Sequence, residues 1–95
     1  MRAHKNNETD LLRQVRDYLR LKGWYVIRIQ QGLGAHKGLS DLIAVKGGTT
    51  AFIEIKRPKG QLSDYQVKFE KEIHEHGGKY LVIRSFEDCR EVFGR

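Results

Sequence analysis

A chain of 95 residues has room for one domain, expected over 1–95, with a modest core that a dimer would help to stabilise. Its single cysteine excludes an internal disulfide framework and fits a reducing cytoplasm. No apolar run is long enough to span a membrane, and Met1-Arg2-Ala3-His4-Lys5-Asn6-Asn7 is too polar for a signal peptide.

The elements follow in chain order. Leu11, Leu12, Val15 and Leu19 recur at helical spacing, so residues 8–21 are expected to form a helix, capped by Asn7 and ended by Gly23. Trp24–Gln30, rich in aromatic and branched residues, predicts a strand. Residues 31–38 form a glycine-rich loop without the spacing of a phosphate-cradling loop. Asp41–Lys46 is a short buried strand, Gly47-Gly48 a hairpin turn, and Thr50–Arg57 a second strand stopped by Pro58, the only proline. Residues 64–76 read as a helix with Ser63 as its cap and Gln66 three later, the pattern of a capping box. Gly77-Gly78 ends it. Lys79–Arg84 is a strand and Phe86–Phe93 a last helix. The order αβββαβα predicts an α/β (α+β) fold, a mixed sheet with helices packed on its faces.

Two acids and a lysine stand out. Asp41 opens one apolar run, and thirteen residues on, Glu54 and Lys56 flank Ile55 in the next. Alternation puts Thr50, Phe52, Glu54 and Lys56 on one face of their strand and Ala51, Ile53, Ile55 and Arg57 on the other. Glu54 and Lys56 therefore point the same way, their origins ~7 Å apart. If the two runs are neighbouring strands, the three side chains converge. Adjacent carboxylates repel and persist as anions when a cation holds them. Oxygen ligands suit a hard ion such as Mg2+. In a chain of net charge +6, this points to metal-dependent hydrolysis of nucleic acid.

Each residue also has a plainer role. Glu54 and Lys56 can be an ordinary ion pair, but apolar residues on both faces suggest burial, where charge is costly unless used. Asp41 can be a turn residue. Glu8 lies on the apolar stripe of the first helix, either as a favourable acid at a helix start or as a third carboxylate at the site. Gln66 can serve its cap alone, or reach the sheet from the face it shares with Phe69 and Ile73. Arg28, Lys37, Lys46, Arg57 and Lys59 lie in or beside segments flanking the site and are candidates for phosphate contact or plain solvated surface, and His36 in the glycine-rich loop either contacts DNA or has no role. His36, His74, His76 and Cys89 match no zinc spacing, and no nucleophile-elbow motif is present.

With these residues placed, the chain resembles a known family. Gly38-Leu39-Ser40-Asp41-Leu42-Ile43, Phe52-Ile53-Glu54-Ile55-Lys56-Arg57-Pro58, Leu62-Ser63-Asp64-Tyr65-Gln66 and Gly77-Gly78-Lys79-Tyr80 are similar to the VRR-NUC (virus-type replication-repair nuclease) branch of the PD-(D/E)xK superfamily, over about Glu8 to Phe86. The superfamily's usual proline before the first acid is Ser40 here. The resemblance implies a restriction-endonuclease-like αβββαβ core with a central mixed sheet. It implies Mg2+ or Mn2+ on Asp41, Glu54 and the Ile55 carbonyl, with Lys56 positioning or deprotonating the attacking water. Glu8 and Gln66 match the family's additional active-site positions. It further implies a homodimer acting on branched DNA such as Holliday junctions, no organic cofactor, and a bacterial or phage-infected cytoplasm. A non-catalytic nucleic-acid-binding module, or a nuclease subunit needing a partner, is the competing reading.

Overall fold

A computed structural model of the protein describes residues 7–30, 32 and 34–94. The reading of residues 1–6 as too polar for a signal peptide, and the part of the loop expectation that falls on Gln31 and Leu33, lie outside these residues. Three helices and four strands follow the expected order: α1 (Glu8–Leu21), β1 (Tyr25–Arg28), β2 (Leu42–Lys46), β3 (Thr49–Ile55), α2 (Asp64–Glu75), β4 (Lys79–Ile83) and α3 (Phe86–Phe93). Among the described residues no helix is long and apolar enough to cross a membrane.

The four strands form one sheet in the order β1-β2-β3-β4. The β1–β2 and β2–β3 pairs are antiparallel. The crossover through α2 makes β3–β4 parallel, as a helical connection requires. Lys46 pairs with Thr49, leaving Gly47 and Gly48 as a two-residue loop with φ of 56° and 83°. Positive φ at both central residues is the turn whose twist matches the strands it joins, and glycine adopts it without steric cost.

The strand ends differ slightly from the sequence expectation. Trp24 leaves the β1 line and packs its ring edge-to-face on Phe93, 5.2 Å between centroids. Beyond Arg28 the pairing continues through one bond, Ile29 N–H to the Asp41 carbonyl at 2.8 Å. Regular β3 ends at Ile55 because the chain departs toward Pro58, after Lys56 N–H donates to the Ile83 carbonyl at 3.0 Å.

The two faces of the sheet are built differently. Leu11, Leu12, Val15 and Leu19 of α1, with Cys89 and Phe93 of α3, cover Val26, Leu42, Ala44, Ala51, Ile53, Ile55 and Ile83. This is the main core, and several of its side chains are fully enclosed. On the other face α2 covers β3 and β4 through Phe69, whose ring stands edge-on to Phe52 at 5.5 Å and to Tyr80 at 5.7 Å. That cover is narrower, and the face carries the polar residues considered next.

Candidate active site

The β2–β3 register brings the acids together. Leu42 pairs with Ile53, and one step earlier Asp41 N–H donates to the Ile53 carbonyl at 3.1 Å. Asp41 and Glu54 are therefore cross-strand neighbours on the same face. Asp41 Oδ2 accepts the Ile55 N–H at 2.8 Å. In an extended strand the carbonyl of a residue points to the same side as its N–H, so the Ile55 carbonyl turns toward Asp41. Ser40 anchors this end of β2. It is fully buried, and its hydroxyl donates to the Leu42 carbonyl at 2.9 Å.

Glu54 is only 4% exposed. Its Oε2 accepts from the Gln66 amide nitrogen at 2.9 Å and faces the Lys56 ammonium at 3.9 Å. Gln66 serves two purposes with one amide. Its Oε1 accepts the Ser63 N–H at 2.8 Å, its own N–H donates to Ser63 Oγ at 3.2 Å, and its NH2 group is left for Glu54. The capping box of α2 thus aims a donor at the sheet.

Glu54 Oε1 is buried and receives no hydrogen bond among the described residues. Burial and the neighbouring Asp41 carboxyl push the Glu54 pKa up to about 8, against the opposing pull of Lys56. An acid in this setting is short of positive charge, and a cation between the two carboxyls would supply it. Among the described residues no group of three or more His, Cys, Asp or Glu side chains is arranged to hold a metal. Two carboxylates and a backbone carbonyl nevertheless fit the hard-oxygen donor set of Mg2+, which is commonly bound by one or two carboxylates and keeps several waters.

These residues line a cleft of about 360 Å3 bounded by Lys37, Gly38, Leu39, Asp41, Glu54, Ser63, Tyr65 and Gln66. Its near wall is the loop before β2. Gly38 has φ of 84°, and a Cβ there would lie 2.2 Å from the Tyr65 carbonyl oxygen, so only glycine lets the loop close on α2. His36 lies beside Phe69 with 5.4 Å between rings. The Lys37 ammonium sits over the Tyr65 ring, 4.8 Å from its centroid.

The remaining candidates lie elsewhere. Glu8 lines a neighbouring cavity of about 340 Å3 with Lys56 and Arg57. Its carboxylate accepts the Arg57 N–H at 3.3 Å and faces the Arg57 guanidinium at 3.7 Å. It contributes to raising the Glu54 pKa but is not part of the cleft lining. Lys59 is exposed in the turn after β3. Arg28 pairs with Leu42, whose side chain belongs to the core face, so the structure does not bring Arg28 to the cleft side. His74 and His76 face backbone carbonyls of Tyr80 and Glu72, and Cys89 is buried in the core.

Two residues not singled out in the sequence also shape the site. Tyr65 forms part of the cleft wall. Arg84 donates to the carbonyls of Arg57, Pro58 and Gly60 at 3.0, 3.4 and 2.5 Å, bracing the turn that follows Lys56. An aromatic residue beside Gln66 was a visible signal for the first. Nothing in the sequence marked the second, because its partners are backbone atoms more than twenty residues away.

A mixed sheet with this helical order, with Asp, Glu and a helix-borne Gln lining one cleft and the Lys of Glu-x-Lys facing that Glu from the neighbouring cavity, defines a nuclease of the PD-(D/E)xK type. The chain belongs to the archaeal Holliday junction resolvase (Hjc) family, whose model matches residues 3–80. A solved structure described as a VRR_NUC domain superposes with a TM-score of 0.81 at 17% identity, covering 93% of this chain and 95% of that one. At that identity the likeness shows the fold. A search of curated proteins gives no match.

Proposed function

We propose that residues 1–95 form a single nuclease domain, a Mg2+- or Mn2+-dependent endonuclease that hydrolyses phosphodiester bonds in branched DNA such as four-way junctions. One observation carries the reading: Glu54, buried and with one carboxylate oxygen lacking a donor among the described residues, lies beside Asp41 in an open cleft. Family membership supplies the substrate class.

In this reading Asp41, Glu54 and the Ile55 carbonyl would hold the ion. When bound, the ion supplies a nucleophilic water at neutral pH and charge stabilisation on the phosphate. The protein's own groups do the rest. Gln66 fixes the Glu54 carboxylate by donating to Oε2, which leaves the buried Oε1 for the ion. The Asp41 carboxylate is held by the Ile55 N–H. Lys56 stands at the rim of the acid pair, where it orients the attacking water and places positive charge where negative charge grows. Glu8 and Arg57 form an outer pair that settles the strand end bearing Lys56. Lys37, Arg57 and Lys59, with His36 in the loop, are proposed to contact the DNA backbone, and Arg28 is left for a more distant arm. A homodimer is part of the proposal, because a four-way junction has two-fold symmetry and paired cuts need two sites.

The test is cleavage of a labelled panel comprising four-way junction, flap, nicked duplex, continuous duplex and single strand, with Mg2+, Mn2+ or EDTA. Metal-dependent paired cuts in the junction are expected, reduced at least ~1,000-fold in Asp41→Ala. Binding without cutting under every metal would reject the enzyme.

A further inference from the structure

Tyr65 is not part of the main core. It sits in the first turn of α2 and is 55% exposed, although a tyrosine ring is among the larger apolar groups a fold can bury. The other large apolar side chains exposed to this degree, such as Leu21, Tyr25 and Val92, are not in the cleft lining. Tyr65 stands in the wall of the cleft whose floor holds Asp41 and Glu54. Lys37 lies over its ring at 4.8 Å, and more than half of the residue still meets solvent.

Fastening the loop to α2 does not account for this pair. Gly38 already lies against the Tyr65–Gln66 backbone so closely that a Cβ would collide, and His36 already packs on Phe69. Both contacts hold the loop without the Tyr65 ring. A ring more than half exposed, with an ammonium over one face, has the two parts that bind an unstacked nucleotide: a π-surface for the base and a positive charge for its phosphate.

We infer that Tyr65 and Lys37 form a stacking platform for a nucleobase whose own stacking is interrupted, next to the bond to be cut. The inference rests on the nuclease reading and deepens it by naming what selects the DNA structure. Inside a continuous duplex each base is covered on both faces. At a branch point, flap or nick a base face is open, and the Tyr65 ring can cover it. Lys37 then pairs with the flanking phosphate while Asp41 and Glu54 face the scissile one. Tyr65 is thus a specificity-determining residue and takes no part in bond breaking.

The experiment places 2-aminopurine at the branch point of a four-way junction and, separately, inside a continuous duplex of the same sequence. Emission is read on binding in EDTA, and cleavage is then read with Mg2+ and Mn2+. Wild type and Tyr65→Phe are expected to change the emission of the junction probe but not of the duplex probe, and Tyr65→Leu to lose that response. In cleavage, the preference for junction over duplex is expected to fall about tenfold in Tyr65→Leu, through KM and not kcat, and to be kept in Tyr65→Phe. Lys37→Ala should weaken junction binding and flatten its salt dependence. Unchanged emission and unchanged preference in Tyr65→Leu would overturn the platform while the nuclease stands. A wild type that cuts no DNA under either metal yet shows the Tyr65-dependent emission change would reject the nuclease reading and support the platform.

Discussion

The two faces of the sheet solve opposite problems. On one, α1 and α3 enclose a continuous set of aliphatic side chains, several with no exposed surface. On the other, a single aromatic cluster around Phe69 covers part of β3 and β4, and the space beside it is an open cleft with two carboxyls. The same strand serves both: Ala51, Ile53 and Ile55 point into the core, while on the other face Phe52 packs on Phe69, Glu54 lines the cleft and Lys56 faces Glu54 from the neighbouring cavity. Apolar burial is the main source of stability in a domain this small, so the closed face can support groups on the open face that oppose folding. Glu54 is such a group, buried without full hydrogen bonding.

The sharpest way to break the comparison is to damage the closed face alone. Leu19 has no exposed surface and belongs to the core on the face opposite the cleft. Leu19→Ala is expected to cost about 2–5 kcal/mol through lost contacts and a residual cavity. That lowers the melting temperature by roughly 10 °C or more for a domain of this size. Below the melting range, DNA cleavage should keep the wild-type rate. Calorimetry beside a junction-cutting assay checks both halves, and a cleavage defect in the folded variant would show that the faces are not independent.

The open face predicts the reverse, and here pH separates the terms. The Glu54 pKa is raised from 4.5 to about 8 in the folded chain. Between those values the unfolded chain has lost a proton that the folded one keeps, so the Glu54 contribution to stability is greatest below about pH 4.5 and falls as pH rises toward 8. Water in the open cleft screens part of this, leaving on the order of 2 kcal/mol. Glu54→Gln removes the titration. In EDTA at pH 8 it should melt higher than wild type, by several degrees, and the two should converge near pH 4. Addition of Mg2+ or Mn2+ should raise the melting temperature of wild type only. Thermal melts across pH with and without metal test this, and a Glu54→Gln variant no more stable than wild type at pH 8 would contradict the buried, under-compensated acid.

What could be read from the sequence divides along the same line. The closed face was legible because it depends on periodicity. The α1 stripe and the alternation through β3 each name their buried residues, and Gly47-Gly48 fixes the hairpin that sets Asp41 opposite Glu54. The acids and Lys56 were legible as a spacing once the hairpin was recognised. What could not be read was how side chains approach from different elements. Glu8 was expected from its place on the apolar stripe to stand among the acids, yet it turns to Arg57 at the strand end. Arg28 appeared to flank the site, but register with Leu42 puts it on the core face. Arg84 owes its place to backbone carbonyls more than twenty residues away, which no local pattern encodes.

Gln66 is where local and tertiary signals coincide, and it allows the faintest test. In the sequence its capping role and its site role looked like alternatives, whereas the folded chain satisfies both from one amide. Ser63→Ala removes the hydroxyl that accepts the Gln66 N–H and should cost about 1 kcal/mol. A purely local cap would lower the melting temperature by a few degrees and change nothing else. Because the side chain that closes the capping box also donates to Glu54, loosening the first turn of α2 should loosen that bond too. Cleavage should then fall by a few-fold at temperatures where the variant is fully folded, and more metal should be needed for half-maximal rate. The same loss in Gln66→Ala and in the double variant Ser63→Ala/Gln66→Ala would place the whole effect of Ser63 in Gln66. A cap variant with wild-type metal dependence would instead separate the helix start from the site it borders.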